Sequence, residues 1–307
     1  MKISIIIVNY NSSENTIKLL ESLKNQTDGG FEIVVMDNAS EEADFNNLNS
    51  YYTTNLSPTK GAFVIRGEQN LGYSGGNNIG IKKALENGAD WVLLLNNDTW
   101  VESLFIEHLK AKLGGKEGIV GLVIDEGNRV AYAGQIQWLK PTLIHTTPLN
   151  GVSPQVIHKD GNNAIQWRCY VIGGAMAIQK NVFEKIGFLD EKYFLYFEDA
   201  DFTIRAKKAG VRVNFLSEIK VQHSVSSSTK KLGSPMLLRY HYRNALYFNL
   251  KNGPWYIKLL VWPWSWLNFS KQIFKIIIKR ESEASKAILL GIIDFYLGRF
   301  GKIVSSI

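Results

Sequence analysis

The tripeptide Asn96-Asn97-Asp98 presents three oxygen-bearing side chains directly after an apolar run, Trp91–Leu95. The run is too short for a helix and is typical of a strand buried on both faces. Ligands bind at the carboxyl ends of strands in an α/β sheet, so these side chains stand where a ligand is expected. A carboxylate flanked by amides suits a hard divalent cation that keeps open positions for phosphate oxygens. The same residues also fit a turn in which Asp98 caps a helix over Val101–Leu109.

A second group of carboxylates, Glu198-Asp199-Ala200-Asp201, stands where a helix that runs to about Ala209 is expected to begin. The N–H groups and the dipole of a helix N-terminus favour ionised carboxylates. Helix capping, with Asp201 paired to Arg205 and Lys208 along the surface, explains the same acids without a function.

Four strands are predicted in the first third of the chain: Ile3–Val8, Phe31–Met36, Ala62–Arg66 and Trp91–Leu95. Helical spacing over Ser12–Lys24 separates the first two, and the alternation predicts a mostly parallel sheet with helices on both faces. Each of these strands ends in Asn, Asp, Ser or Gly. The polar residues should therefore converge on one edge of the sheet, which predicts a ligand site there.

Glycines mark two further places. The segment Asn70–Asn78 follows the third strand, and its small residues would let backbone N–H groups approach an anion just before a helix predicted over Asn77–Asn87. Gly88 is the expected C-terminal cap of that helix. A tight turn alone would also explain the loop. Gly173-Gly174, inside a strand predicted over Tyr170–Gln179, indicates close approach of a ligand or of another backbone.

Composition limits the class of protein. With 307 residues, 45% apolar and 21% charged, the chain is long enough for one large domain or a domain with an appendage, and disorder is excluded. The single cysteine, Cys169, excludes an internal disulfide and any multi-cysteine zinc site. The first apolar run, Ile3–Val8, is too short for a signal peptide, so a cytoplasmic protein is expected.

The basic charge belongs to the C-terminal part of the chain. From Lys230 to the end there are 13 Lys/Arg and 3 Asp/Glu, a balance of +10, whereas the preceding residues balance at −3. We therefore expect a division into residues 1–228 and a basic, aromatic-rich helical region, 229–307. An anionic partner is indicated there, but no RNA-binding or helix-turn-helix signature is present, so nucleic acid is not expected.

Trp255–Arg280 alternates tryptophans with lysines and contains Pro263, which predicts a broken helix. Its longest charge-free run, Leu259–Ser270, is far shorter than the ~20 residues that span a bilayer. The pattern fits attachment to the inner face of the cytoplasmic membrane. It equally fits a helical cap on the main domain. The irregular Gly127–Trp167 region is expected to shape part of the ligand site, and the oligomeric state is not indicated.

Taken together, the motifs resemble family 2 glycosyltransferases, most closely a bacterial rhamnosyltransferase-type branch, over about residues 3–245. The motifs that carry the resemblance are Val8-Asn9-Tyr10-Asn11, Asp37-Asn38-Ala39-Ser40, Asn70-Leu71-Gly72-Tyr73-Ser74-Gly75-Gly76-Asn77-Asn78, Asn96-Asn97-Asp98 and Glu198-Asp199-Ala200-Asp201. The resemblance implies a GT-A fold, a nucleotide-diphosphate sugar donor, a divalent metal (Mg²⁺ or Mn²⁺) and transfer with inversion.

The resemblance also implies roles for single residues. Asp199 would be the general base, while Glu198, Asp201 and Gly174 would orient the acceptor or the sugar. The donor would be bound by Asn9, Asn11, Asp37, Asn70, Gly72, Gly75, Gly76, Asn77, Asn97 and Arg243, with Asp37 receiving the base or ribose. Arg205 and Arg239 are further candidates for phosphate contact.

The metal ligands implied by the resemblance are Asp98, Asn96 and His223, which follows a late strand predicted over Val211–Leu216. The sequence departs from the family here, because Asn96 stands where an aspartate is often found. Asn96 contributes an oxygen without charge, so the cation would depend on His223 and on the phosphates of the donor. Without the resemblance, a lone histidine is more often structural than a ligand.

These observations predict transfer of a sugar from a nucleotide donor, with dTDP-L-rhamnose favoured by the resemblance, to a glycan or lipid-linked acceptor in cell-surface polysaccharide synthesis. A UDP-hexose or UDP-galactofuranose donor is the alternative within the same chemistry. A non-catalytic nucleotide-sugar or glycan-binding protein is the alternative that the uncharged Asn96 suggests. A membrane-surface scaffold would explain the tryptophans and lysines but leaves the five motifs without a role.

Overall fold

The computed structural model describes residues 1–56, 61–146, 168–223, 234–278, 280 and 282–304. The strands are β1 Ile3–Asn9, β2 Phe31–Asp37, β3 Ala62–Arg66, β4 Trp91–Leu95, β5 Thr99–Trp100, β6 Ile119–Asp125, β7 Val130–Ala131, β8 Ala133–Gln135, β9 Ile144–Thr146, β10 Cys169–Tyr170, β11 Ala175–Gln179 and β12 Val213–His223. The helices are α1 Ser13–Lys24, α2 Glu42–Asn55, α3 Gly72–Glu86, α4 Phe105–Leu113, α5 Lys180–Ile186, α6 Glu198–Lys208, α7 Pro235–Asn252, α8 Trp255–Ile277 and α9 Ser282–Tyr296.

The central sheet has the strand order β3-β2-β1-β4-β11-β6-β12-β5, with β7 paired to β6. Strands β1 to β4 pair in parallel, as predicted. The sheet becomes mixed because β11 runs antiparallel between β4 and β6. In β1 the isoleucines alternate between two cores: Ile5 and Ile7 pack on one face of the sheet, and Ile6 packs on the other. The predicted sheet with helices on both faces is therefore confirmed.

A short antiparallel pairing brings the end of the late strand to the tripeptide after β4. In the β12–β5 pair, His223 stands opposite Thr99 and Gln222 opposite Trp100. Strand β12 is longer than the predicted Val211–Leu216, because its pairing with β6 resumes after a bulge between Leu216 and Lys220. The extension carries His223 to the same edge of the sheet as Asp98.

Three local predictions are wrong. The helix expected from Asn77 already begins at Gly72, so the glycines lie within its first turns. The helix expected over Val101–Leu109 runs from Phe105 to Leu113 with Leu104 at its N-cap, so Asp98 does not cap it. The single strand expected over Tyr170–Gln179 is two strands, β10 and β11, separated by Gly173-Gly174.

The C-terminal helices pack on one another through a close crossing of α7 and α9. A Cβ atom at Gly291 would lie 2.5 Å from the carbonyl oxygen of Arg239, so glycine is needed for this approach. The buried Arg239 guanidinium donates to the Asp294 carboxylate at 2.6 Å. Helix α8 continues through Pro263, contrary to the predicted break. The predicted domain boundary at 228 lies outside the described residues, as does part of the Gly127–Trp167 region.

Replacing Asp294 with alanine should lower the free energy of unfolding by about 3–5 kcal/mol, because it deprives the buried Arg239 charge of this carboxylate. Urea denaturation followed by circular dichroism measures the change. Glu283→Ala is the matched control, since it removes an exposed pair with Lys286 on the same helix. That substitution should cost less than about 1 kcal/mol. An equal decrease in the free energy of unfolding of the two variants would show that the buried Arg239–Asp294 pair stabilises the protein no more than the exposed pair does.

Candidate active site

A cavity opens at the carboxyl ends of the first parallel strands. Its volume is about 290 Å³, and it is lined by Val8, Tyr10, Asn38, Asn70, Gly72, Tyr73, Leu95, Asn96, Asn97, Phe194 and Leu195. Four amides and two tyrosines thus supply its polar groups. Asn70, Gly72, Asn96 and Asn97, all assigned from the sequence, lie in this wall. The edge where polar strand ends were expected to converge is where the cavity is found.

Asn9 and Asp37 lie behind the cavity wall and have no exposed surface. The Asn9 amide donates to the Asp37 carboxylate at 2.9 Å and to the Asp44 carboxylate at 3.0 Å. Its carbonyl accepts from the Thr16 hydroxyl, which in turn accepts from the Asn97 amide. The network ties the ends of β1, β2 and β4 together. Asn9 and Asp37 therefore position the donor side from beneath in this conformation.

Asn11 and Asn38 fix the loops at the rim. Asn11 adopts the left-handed conformation (φ +48), and its side-chain carbonyl accepts from the N–H of Glu41. The Asn38 amide donates to the Asn70 side chain at 3.0 Å and to the carbonyl of Gly72 at 2.9 Å. The polar groups of both asparagines are thereby held in place before a ligand arrives.

Gly72 joins the donor side to the segment before α6. Its φ is +72, and a Cβ atom there would lie 2.3 Å from the carbonyl oxygen of Phe194. The N–H of Tyr73 donates to that same carbonyl at 2.7 Å. Gly75 and Gly76 are buried, and a Cβ on Gly76 would meet Val8 at 3.0 Å. Gly76 thus lets α3 pack closely on β1.

The two asparagines at the end of this motif are used within the protein. The Asn77 amide donates to the carbonyl of Tyr73, one helical turn earlier. The Asn78 side chain binds Leu189 through both its donor and its acceptor, and it also donates to Glu191. Contact of either side chain with ligand hydroxyls would require these bonds to be exchanged.

Asp98 and His223 form the charged part of the site. The Nε2 atom of His223 lies 3.2 Å from Oδ1 of Asp98, and its Nδ1 atom lies 3.7 Å from Oε1 of Glu126. Burial disfavours the charged imidazolium, but the Asp98 carboxylate and then Glu126 outweigh it and raise the pKa of His223 above 6.5. In the absence of a cation, these two acids therefore favour the protonated form of His223.

The donor set fits a divalent cation that is completed by a ligand. Adjacent ligands of an octahedral ion with bonds of about 2.1 Å are separated by about 3 Å, close to the observed distance between Asp98 and His223. Within the described ranges, no three His, Cys, Asp or Glu side chains are grouped to hold a metal ion. Asp98 and His223 therefore offer two positions, and the remaining oxygens must come from substrate and water.

Asp199 begins α6 and lies beside Gly173. Its Oδ2 accepts from the N–H of Gly173 at 3.0 Å, and its Oδ1 accepts from the N–H of Ala200 at 2.7 Å. Burial raises the pKa of Asp199 to about 6, although these main-chain N–H groups act in the opposite direction. A half-buried carboxylate with this pKa is ionised at neutral pH and is still basic enough to accept a proton.

Glu198 is the buried neighbour of Asp199. Burial, followed by the charge of Asp199, raises the pKa of Glu198 well above its ordinary value. Its Oε2 atom is buried without a hydrogen-bond partner among the described residues. Where adjacent carboxyl groups have separated pKa values, one can act as the acid and the other as the base, which makes Asp199 the candidate base of this pair.

Gly173-Gly174 separates the base from the tripeptide after β4. A Cβ on Gly173 would meet the Tyr73 hydroxyl at 3.1 Å and Cβ of Asp199 at 3.3 Å, whereas one on Gly174 would meet the Asn96 amide at 2.8 Å. The predicted close approach therefore comes from side chains of the protein. Tyr73 donates from its hydroxyl to the carbonyl of Gly173 at 2.8 Å.

Tyr73 lies near both groups of acids. Burial raises its pKa well above 10, and the charges of Glu198, Asp199 and Asp98 act in the same direction. Because Tyr73 lines the cavity together with Asn96 and Asn97 and binds Gly173, it connects the surroundings of Asp199 to the tripeptide after β4.

The segment before α6 has an unusual backbone. Phe194, Tyr196 and Phe197 all adopt positive φ, between 63 and 75. Asn244 on α7 holds the segment by donating its amide to the carbonyls of Tyr193, Leu195 and Tyr196 at 2.7–3.1 Å.

Arg243 supports the same segment, which argues against its predicted contact with phosphate. Its guanidinium is 1% exposed and donates to the carbonyls of Tyr193, Arg299 and Gly301 and to the Asn244 side chain. The two other candidate arginines are similarly occupied: Arg205 binds Asp201, and Arg239 binds Asp294.

Asp201 also has contacts that indicate a structural role rather than the predicted orienting role. It has no exposed surface, and its Oδ1 accepts from the Asn252 amide at 2.7 Å and lies 2.8 Å from Nζ of Lys251. Its Oδ2 accepts from Arg205 at 2.7 Å. The carboxylate therefore connects α6 to the end of α7.

Sequence analysis did not assign Glu126, Tyr73 or Asn244. Glu126 directly follows β6. Polar residues after strands mark the edge of the sheet where ligands bind, and this rule would have identified Glu126 if it had been applied to β6. Tyr73 stands inside a motif that was noted for its glycines. For Asn244 no local signal exists, because its partners lie about 50 residues earlier in the chain.

Residues 4–187 match the family model for glycosyl transferase family 2. The chain is 25% identical to the dTDP-rhamnosyl transferase RfbF of Shigella flexneri over 80% of its own length and 79% of that protein. It is 23% identical to an N-acetylglucosaminyl-diphospho-decaprenol L-rhamnosyltransferase of Mycobacterium tuberculosis, covering 84% and 87% of the two chains. The fold also resembles that of the mannosyltransferase PcManGT from Pyrobaculum calidifontis in complex with GDP-Man and Mn²⁺. In that comparison the TM-score is 0.56 and the identity 12%, with 97% and 87% of the two chains covered.

The raised pKa of Asp199 predicts a pH-dependent effect on stability. The pKa of Asp199 is about 6 in the folded state and near 3.8 in the unfolded state. Its contribution to the stability of the folded protein is therefore fully present below pH 3.8 and is lost as the pH rises through about 6. Asp199→Asn does not titrate, so its stability relative to the parent should increase between pH 4 and pH 7. The expected gain is on the order of 1–3 kcal/mol, and urea titrations at several pH values measure it.

Asp28→Asn is the control with the opposite slope. The hydrogen bond from Lys110 lowers the pKa of Asp28 below 3.8, so that carboxylate stabilises the folded state as it ionises. Relative to the parent, Asp28→Asn should lose stability as the pH rises through the acid range. A flat difference curve for Asp199→Asn would contradict the inference that burial raises its pKa.

Proposed function

The chain belongs to glycosyl transferase family 2 and has the GT-A fold, and we propose that it transfers a sugar from a nucleotide diphosphate with inversion and with the help of a divalent metal. The proposed donor is dTDP-L-rhamnose, and the proposed acceptor is a glycan or a lipid-linked saccharide of cell-surface polysaccharide synthesis. The observation that carries the proposal is that both groups of acids adjoin one cavity. Asp98, paired with His223, directly follows the lining residues Asn96 and Asn97, and Asp199 binds Gly173 beside Tyr73, which also lines the cavity.

The donor side of the cavity suits a nucleotide. Amide groups of Asn70, Asn96 and Asn97 can bind a pyrimidine or ribose, and Tyr10 offers an exposed ring on which a base can stack. The fixed network of Asn9 and Asp37 keeps this wall rigid before binding. Rhamnose as the sugar rests on the relative from Shigella flexneri, whose name gives that donor.

Asp98 and His223 would hold the metal, together with oxygens of the donor. Mn²⁺ is present in the PcManGT complex named above, which supports a divalent cation here. When bound, such an ion supplies positive charge near the departing diphosphate. Because the protein offers one carboxylate, one imidazole and the neutral Asn96, we expect the ion to bind weakly until the nucleotide is present.

Asp199 would remove the proton from the attacking hydroxyl of the acceptor. As that oxygen bonds to the anomeric carbon, the bond from the same carbon to the diphosphate breaks, and the proton passes to the Asp199 carboxylate. Attack on the face opposite the nucleotide inverts the configuration and needs no nucleophile from the enzyme. Glu198, whose protonated form is favoured by burial, can donate a hydrogen bond to the acceptor or the sugar through its unpartnered oxygen.

The acceptor and the location of the reaction are part of the same proposal. The mycobacterial relative is named for an acceptor with a diphospho-decaprenol carrier, which supports a lipid-linked saccharide. We place the reaction in the cytoplasm, at the inner face of the cytoplasmic membrane where such a carrier would be reached.

Nucleotide and metal should stabilise the protein only in combination. In a thermal-shift panel of dTDP-, UDP- and GDP-sugars, we expect dTDP-rhamnose with Mn²⁺ to raise the melting temperature, and Mn²⁺ alone to have little effect. His223→Ala and Asp98→Asn should reduce the metal-dependent part of the shift. Lys18→Glu, on the surface of α1, is the control and should respond as the parent does. Tight Mn²⁺ binding without nucleotide would contradict the proposed ligand set.

Asp199→Asn should abolish transfer while donor binding remains. The amide keeps its hydrogen bond from Gly173 but cannot accept the proton, so turnover should fall by about 10³-fold or more, with the nucleotide dissociation constant within about threefold. Release of dTDP in the presence of an acceptor measures turnover, and calorimetry measures binding. Glu14→Gln on the exposed face of α1 serves as the control. Loss of binding together with turnover would show that Asp199 holds the structure or the donor.

A further inference from the structure

Helix α8 is apolar on both of its faces, although only one is covered by protein. Ile257, Val261, Ser265 and Gln272 form the buried face. On the other face the large apolar side chains remain in solvent: Trp255 is 73% exposed, Trp266 62% and Leu267 71%. A helix at the surface of a globular protein normally presents polar residues there. This outer face therefore lacks its partner in the isolated chain.

The exposed apolar residues of α8 form one continuous arc. At 3.6 residues per turn, Trp255, Tyr256, Leu259, Leu260, Trp262, Trp266, Leu267, Ile273, Phe274, Ile277 and Ile278 project within roughly 160° of each other. The uncharged Pro263 and Ser270 also project within this arc. Lys258 and Lys271 project just outside its two edges, so charge flanks the arc without interrupting it. Lys258 is half-buried and Lys271 is exposed.

The outer face of α8 continues onto α9. A groove of about 200 Å³ between the two helices is lined by Trp266, Phe269, Ile292, Ile293, Tyr296 and Leu297. Tyr296 and Leu297 are exposed at its edge, and the Tyr296 hydroxyl lies 2.6 Å from the Ser265 hydroxyl. Both helices therefore contribute side chains to this apolar surface.

The geometry limits what can cover this surface. No helix in the described part of the chain is long and apolar enough to cross a bilayer. The buried face of α8 is already occupied by α7 and α9, so the helix can lie on a membrane only along its outer face. Tryptophans beside lysines are typical of the boundary between headgroups and acyl chains.

The sign of the charge favours anionic lipid. Of the basic residues after Lys230, Arg239 and Arg243 are used internally and Lys251 pairs with Asp190 and Asp201. Lys258, Lys271, Lys275, Lys286, Arg299 and Lys302 also contribute positive charge around α8 and α9, with Lys286 paired to Glu283. Acidic residues are scarce in this region, so an anionic surface meets little opposing charge.

We propose that the outer face of α8, together with the α8–α9 groove, docks on a bilayer that contains anionic lipid. The apolar arc enters the headgroup boundary, the groove takes up parts of acyl chains, and Lys258 and Lys271 contact lipid phosphates at the edges. The surface shares no residue with the cavity at the strand ends. Its occupation is therefore independent of which sugar is transferred.

The test is sedimentation of the full chain with vesicles of phosphatidylcholine alone and of phosphatidylcholine with phosphatidylglycerol. Binding should be at least tenfold stronger to the anionic vesicles and should weaken as NaCl is added. The double variant Trp266→Ser/Leu267→Ser should bind at least tenfold more weakly. Lys258→Glu/Lys271→Glu should lose the preference for the anionic vesicles.

Controls come from the same chain. Leu104→Ser, 42% exposed before α4, and Lys18→Glu on α1 should bind vesicles as the parent does. Because the altered α8 side chains are in solvent, both α8 variants should keep the parent's melting temperature and its shift with nucleotide and Mn²⁺. The thermal shift tests the proposed function and vesicle sedimentation tests the docking surface, so failure of one proposal is distinguishable from failure of the other.

Unchanged vesicle binding by Trp266→Ser/Leu267→Ser would overturn the proposal, and so would equal binding to neutral and anionic vesicles. Sedimentation velocity provides a further check. A parent dimer that this variant converts to a monomer, with no vesicle binding by the parent, would assign the outer face to a second copy of the chain.

Discussion

The site depends on how α7 holds the segment between Tyr193 and Phe197. Three residues other than glycine adopt positive φ there, each at a cost of order 1–3 kcal/mol that the surroundings must offset. The Asn244 amide, the buried Arg243 guanidinium and the contact with Gly72 supply that support. Phe194 and Leu195 of this segment form part of the cavity wall, and Glu198 and Asp199 follow the segment directly. Helix α7 thus supports the candidate site from beyond the predicted boundary at 228.

The carboxylates of the candidate site lie in different environments. Asp98 lies beside His223 at a distance that suits adjacent metal ligands, whereas Asp199 is held by main-chain N–H groups next to Gly173. Burial, which raises the pKa of Asp199 to about 6, also destabilises its ionised form at neutral pH. Asp201, two residues later, is instead bound to Arg205 and Asn252 and joins α6 to α7. The candidate base and an acid with structural contacts therefore lie on the same helical turn.

Local patterns predicted the parallel strands, the edge where they end, and the neighbourhood of Asn96–Asp98. They failed where contacts with residues distant in the sequence determine the structure. Helix α3 begins at Gly72 because Tyr73 binds the carbonyl of Phe194, and α8 continues through Pro263 because its inner face packs on other helices. The resemblance implied donor contact for Arg243, since nothing in the sequence reveals the carbonyls that Arg243 and Asn244 bind. Glu126 and Tyr73 were within reach of the strand-end rule but carried no distinctive spacing.

The central claim is that metal, nucleotide and base meet in the cavity bordered by Tyr73. Anomalous diffraction from crystals grown with Mn²⁺ and dTDP tests it most directly, because it locates the ion without assumptions about activity. The account predicts one Mn²⁺ peak bound by Asp98 and His223, with the diphosphate beside it in the cavity and Asp199 outside the coordination sphere. An ion bound by Glu198 and Asp199, or a nucleotide outside this cavity, would contradict the account.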